Sequence, residues 1–197
     1  MQYISIPQLE SSTLYDLASL HCTVMHTLLS ELGLPVVRRY YEICQRDESV
    51  IGICALDDGK CVGWTVGSPS PEQVNAQLRT PLSWFAGQML TLALTRPAAL
   101  MQLAKSVLSA SDANALRPGQ IELTYIGVAE SARGRGLGKG LLTAFLEASH
   151  AAGYASVALS VETDNPAAIA LYTNGGFHIT KTFREGRFER HRMEIVL

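Results

Sequence analysis

Apolar side chains recur at three- and four-residue steps through Leu14, Leu17, Leu20, Val24 and Leu28. That spacing predicts an amphipathic helix over 9–32, which Gly33 can stop. Ahead of it, weak alternation over 2–6 predicts a short first strand. Pro35 opens a second helix over about 36–45. Residues 49–56 and 60–68 read as two strands joined by Asp57-Asp58-Gly59, a composition that favours a hairpin turn. The pattern then changes. Prolines stand at 69, 71, 81, 97 and 118, with helical apolar spacing over 84–95 and 98–108. This stretch, 69–118, reads as a helical insertion between strands. Beyond it come a strand over 121–128, a helix over 136–152 and a strand over 155–161. A short helix follows over 165–174, with Asn165 as N-cap and Pro166 at its first position, both preferred there. A hairpin of 177–183 and 187–197 around Glu185-Gly186 closes the chain. The fold class is mixed α/β, and residues 1–197 read as a single domain without repeats.

Composition narrows the setting. The chain has 197 residues, 47% hydrophobic and 17% charged, with a net charge of −2. A globular core is affordable, and nothing favours nucleic acid or an anionic membrane as a partner. Cys22, Cys44, Cys54 and Cys61 show no CxxC spacing, so reduced thiols in a cytoplasmic protein are expected. The opening MQYISIPQLESS lacks a basic stretch followed by an apolar core, so no signal peptide is expected. The most apolar stretch, 82–101, contains Gln88 and Arg96-Pro97, and its uninterrupted part is too short to span a bilayer. Cys22 and His26 stand four apart on the first predicted helix, as metal ligands can, but no third ligand is evident. An ordinary helix face is the better account, and no metal is expected.

The chemistry concentrates in Ile121–Leu142, IELTYIGVAESARGRGLGKGLL. A strand runs into a loop with Gly134, Gly136, Gly138 and Gly140, then into a helix with Leu137, Leu141 and Phe145 on one face. Glycines let backbone approach a ligand closely, and the first amides of a helix lack internal partners. The helix dipole attracts an anion there. Arg133, Arg135 and Lys139 surround the same turn, so the segment reads as a phosphate cradle. Spacing decides which kind. A P-loop ending at Gly138-Lys139 would need its first glycine at Arg133 and a hydroxyl residue at Gly140. A dinucleotide fingerprint fails at Lys139 in one register and at Leu141 in the other. What fits is R-x-x-G-x-G, on Arg133, Gly136 and Gly138, after a strand ending in Ile126-Gly127-Val128.

This pattern resembles the pyrophosphate-binding motif of the GNAT acetyltransferases. A second segment, VETDNPAAIALYTNGGF, is similar to the same family's later motif, with Asn165, Ala168, Leu171, Tyr172, Gly176 and Phe177 at its spacing. The resemblance covers 121–197 well. The earlier half shares the family's strand, two helices and hairpin more loosely, and 69–118 is similar to an insertion found in some bacterial members. Glu130 stands where the family often has a proline that shapes the loop.

The resemblance implies an N-acetyltransferase fold in which the fourth and fifth strands splay apart around the pantetheine arm of acetyl-coenzyme A. It assigns Ile126, Gly127 and Val128 to the pantetheine and acetyl carbonyl. The amides of Arg133, Gly134, Arg135, Gly136, Leu137, Gly138 and Lys139 are assigned to the pyrophosphate, and Asn165 to the neighbourhood of the pantetheine. Amides on the fourth strand would stabilise a developing oxyanion. An amine acceptor must lose a proton before attack, its pKa being about 10.4. Glu122 is the first candidate for the base, because it precedes Val128 by an even number of residues and would share its face. A bulge between them would spoil that parity, and a solvent-facing or paired carboxylate is the competing account. Glu162 is the reserve. Tyr172 matches the tyrosine that protonates the leaving thiolate in the family; a packed ring with a hydrogen-bonded hydroxyl is the alternative. The acceptor is an unidentified amine. A non-catalytic module that senses coenzyme A, or a transferase of longer acyl groups, would carry the same motifs. The apolar pattern at Trp84, Phe85, Met89, Leu92, Leu100 and Leu103 suits core, a homodimer surface or a pocket lid.

Overall fold

The computed structural model describes residues 1–95, 115–186 and 188–197. Among them are seven strands: β1 (Gln2–Ser5), β2 (Ile51–Asp57), β3 (Lys60–Ser68), β4 (Gln120–Val128), β5 (Ser156–Glu162), β6 (His178–Glu185) and β7 (Phe188–Val196). They form one sheet in the order β1-β2-β3-β4-β5-β7-β6. Neighbours are antiparallel except β4 and β5, which run parallel. The helices are α1 (Ser11–Val24), α2 (Leu28–Glu31), α3 (Leu34–Arg46), α4 (Pro71–Gln77), α5 (Leu82–Thr95), α6 (Leu137–Ala151) and α7 (Pro166–Asn174). No helix among the described residues is long and apolar enough to cross a membrane.

Period-2 strands with two apolar faces need a layer on each side. On one side α1 and α3 set Leu17, Val36, Val37 and Tyr41 against Cys54, Trp64 and Val66 of the sheet. On the other, Phe145 and Leu142 of α6 pack with Ile121, Leu123, Leu159 and Met193. The β2–β3 turn is tight: Asp57 pairs with Lys60, leaving Asp58 (φ 49°) and Gly59 (φ 77°) as its two residues, the geometry of a type I′ hairpin.

The helix expected over 9–32 is two helices. Met25 is extended (φ −102°, ψ 131°), which ends α1. The Thr27 side chain then caps α2 by accepting the Ser30 amide at 3.4 Å. The apolar spacing runs through this break because Leu17 and Leu29 face the same core on either side of it. With α1 ending at Val24, Cys22 and His26 do not share a helix. No group of three potential metal ligands is assembled among the described residues. Between β3 and β4 the structure places α4 and α5, whereas the helix expected over 98–108, with Leu100 and Leu103, lies outside the described residues.

Two features of β4 shape the site. Trp64 of β3 sits opposite Gly127 in register, and a Cβ at Gly127 would lie 2.4 Å from the indole Cη2. Gly127→Ala should therefore cost about 1–3 kcal/mol through overpacking. Thermal melting should show a loss of at least about 3 °C; an unchanged Tm would mean that the indole yields without strain. The second feature is a register shift against β3: Val66 pairs with Tyr125 and Gly67 with Leu123, leaving Thr124 as an extra residue. This bulge reverses the side-chain alternation along β4.

Candidate active site

The loop after β4 is built for close approach. Gly134 (φ 76°) and Gly136 (φ 78°) are both left-handed, a region that disfavours any residue with a Cβ. A Cβ at either would meet nothing within 4 Å, so the space above them is open. Gly136 is the N-cap of α6, and the first helical hydrogen bond is Gly140 N–H to Gly136 O at 3.0 Å. The amides of Leu137, Gly138 and Lys139 thus precede the helical ladder. Arg133, Arg135 and Lys139 are exposed around them. These residues fit a pyrophosphate. Arg135 also donates to Asp57 of the β2–β3 turn at 3.1 Å, a partner that local sequence gave no reason to expect.

Upstream of that loop, β4 and β5 part. They pair only from Gln120–Ser156 to Glu122–Ala158, although β4 continues to Val128 and β5 to Glu162. Each is held on its far side instead: β4 by β3 through Val128, and β5 by β7 through Glu162. A wedge-shaped gap results, with Ile126, Gly127 and Val128 on one wall and the glycine loop at its wide end. Asn165 lies past the end of β5, where its Oδ1 accepts the Ala168 amide at 3.1 Å and caps α7.

Glu122 marks the narrow end of the gap. Its Oε1 accepts from Arg192 Nη1 at 2.8 Å, and the same Nη1 donates to Ser160 Oγ at 3.2 Å. The bulge at Thr124 means that Glu122 does not share a face with Val128. Val128 packs with Leu137 and Leu141 of α6, whereas Glu122 meets Arg192, which alternates with the core residue Met193 of the α6 side. Glu122 therefore faces the side covered over β1–β4 by α1 and α3. Tyr125 reaches that side too, its ring edge-on to His21 of α1 with centroids 4.9 Å apart. Burial holds the His21 imidazole neutral, its pKa lowered to about 4, while Nδ1 bonds the Tyr41 hydroxyl at 2.8 Å. Glu162 stands on the Glu122 face by strand alternation and pairs with Arg190 at 3.5 Å.

Tyr172 occupies the opposite side. It packs with Leu123, Leu142, Leu159 and Phe177, its ring centroid 5.9 Å from that of Phe177. Burial pushes its hydroxyl pKa up to about 12, so it stays protonated across the neutral range. Glu122 thus stands on one face of the sheet and Tyr172 on the other.

A model of the acetyltransferase (GNAT) family matches residues 17–177. The chain belongs to that family. The acetyl donor of that family is acetyl-coenzyme A. Two mycothiol acetyltransferases are similar to it. That of Renibacterium salmoninarum is 32% identical over 94 residues, covering 48% of this chain and 27% of that protein. That of a Parafrankia species is 44% identical over 70 residues, covering 35% and 22%. The chain spans about a quarter of the length of these curated relatives. In fold, it resembles the crystal structure of ribosomal-protein-alanine N-acetyltransferase from Brucella melitensis, with a TM-score of 0.64, 19% identity and 100% of both chains covered.

Sequence reasoning missed Arg192, Ser160 and Tyr125. The alternation of Arg190, Arg192 and Glu194 along the last strand was a signal that one face of β7 is polar. Nothing local said that this face meets Glu122.

Proposed function

We propose that the chain transfers the acetyl group of acetyl-coenzyme A to a primary amine of a small molecule or protein. Attack is direct, through a tetrahedral intermediate. The observation that supports this reading is the gap past Glu122–Ala158, which opens toward the glycine loop with Glu122 at its narrow end. The amides of Leu137–Lys139 and the open space over Gly134 and Gly136 hold the pyrophosphate, with Arg133, Arg135 and Lys139 adding positive charge. The β4 backbone at Ile126–Val128 receives the pantetheine and polarises the acetyl carbonyl. Glu122 draws the proton from the amine, directly or through water, and Tyr172 donates a hydrogen bond to the leaving sulfur.

Thiol release from acetyl-coenzyme A across a panel of amines, with mass spectrometry of the product, tests the reading. Coenzyme A binding without transfer to any amine would leave a sensor in its place. Glu122→Gln should lower the rate by about a hundredfold near neutral pH. It should recover part of that rate at high pH, where the free amine is plentiful. A pH–rate profile like that of the unaltered chain would move the role to Glu162 or to ordered water.

A further inference from the structure

Arg192 is 3% exposed. Burying a cation costs several kcal/mol unless it is paired and hydrogen-bonded. Its partners lie on two other strands: Glu122 on β4 at 2.8 Å and Ser160 on β5 at 3.2 Å. They bracket the place where the β4–β5 ladder stops, since Glu122–Ala158 is its last pair and Ser160 lies two residues further along β5. One guanidinium on β7 therefore reaches across β5 and holds the carboxylate of β4 at the apex of the gap. As a stabilising device this is poor, because a well-packed apolar pair would serve the fold as well or better. As a means of fixing a carboxylate it is effective. The planar fork gives a defined direction, and a neighbouring positive charge favours the charged form of a carboxyl group.

On the reading of the site given above, we propose that Arg192 is a positioning residue for acetyl transfer: it fixes Glu122 at the apex of the gap, on the acceptor side of the sheet. Other titratable groups stand on the same side. Tyr125, on β4, is held protonated by burial, its pKa pushed up to about 12, and His21 of α1 is neutral. Arg190 is engaged with Glu162, and Glu194 with Arg117. Ser160 is the uncharged anchor that sets the guanidinium plane.

Steady-state kinetics across pH on Arg192→Met, Arg192→Lys and Ser160→Ala, with coenzyme A affinity by calorimetry, test this. Arg192→Met should lower kcat by about ten- to a hundredfold. Coenzyme A affinity should change by less than about threefold, since no contact to the glycine loop is lost. Removing the cation raises the Glu122 pKa, so the acid limb of the pH–rate profile should move up by about one pH unit or more. Arg192→Lys should return the limb to its place while restoring only part of kcat, because a single ammonium cannot hold carboxylate and hydroxyl in one plane. Ser160→Ala leaves the charge paired. It should lower kcat by about three- to tenfold with the limb unmoved, and it carries the test if Arg192→Met does not fold. A folded Arg192→Met with unaltered kcat and pH profile overturns the proposal, as does unaltered kcat in Ser160→Ala where Arg192→Met does not fold. An unaltered chain that acetylates no amine would sink the functional reading instead. The hold on Glu122 would then be read from carboxyl 13C titration with and without Arg192, and an unmoved titration would refute it.

Discussion

Tyr172→Phe should lower kcat by roughly ten- to a thousandfold while coenzyme A affinity changes little. The substitution removes one oxygen and keeps the ring, so packing against Phe177 and Leu159 persists and stability should hardly move. What is lost is a donor. An alkyl thiol has a pKa of about 8.5, below the Tyr172 hydroxyl at about 12. Complete transfer of the phenolic proton to a thiolate is therefore uphill. In the proposed mechanism the hydroxyl helps by hydrogen bonding to the sulfur as negative charge builds there, and the proton arrives finally from solvent. Such a bond exists chiefly in the transition state, so its loss should appear in kcat and not in binding. The high pKa has a second consequence: Tyr172 should contribute no basic limb to the pH–rate profile below about pH 11. Kinetics and calorimetry on the two proteins decide the matter. Equal turnover would make Tyr172 a packing residue and leave the thiolate to depart unassisted.

Gly136→Asp should weaken coenzyme A binding by about a hundredfold or more. Two physical effects add. Gly136 sits at φ 78° as N-cap of α6, where a residue with a Cβ costs about 1–2 kcal/mol. The new side chain meets no protein atom within 4 Å, so it stands in the open space over the cradle with its charge facing the pyrophosphate. Gly136→Ala separates the effects, since it keeps the strain without the charge. Calorimetry at low and high salt should show the aspartate penalty shrinking as screening increases, and the alanine penalty constant. Unchanged affinity in a folded Gly136→Asp chain would remove the cradle from the account.

Much of this site was legible from local sequence, because its parts are local. The glycine loop needs a strand before it and a helix after it, and R-x-x-G-x-G at 133–138 marks where the two meet. Asn165-Pro166 announced α7, and the cap bond to Ala168 follows from the same dihedral preferences that made it predictable. Asp58-Gly59 gave the hairpin for an equally local reason. The first helix misled because period measures which face is buried, and α1 and α2 bury the same face across a break made by one extended residue, Met25.

Chain order alone determined that a glycine-rich turn stands between β4 and α6 and that the tyrosine of the later motif falls on α7. Tertiary structure decided what surrounds the reacting end. The parity that would put Glu122 with Val128 held only for a regular strand, and pairing with β3 inserted Thr124 as a bulge. The gap between β4 and β5 arises because each strand is claimed by its other neighbour beyond Glu122 and Ala158. One partner of Glu122, Arg192, is 70 residues away, on a strand that reaches it only across β5. Such contacts are set by which ladders close and where they stop, and no short-range pattern records that outcome.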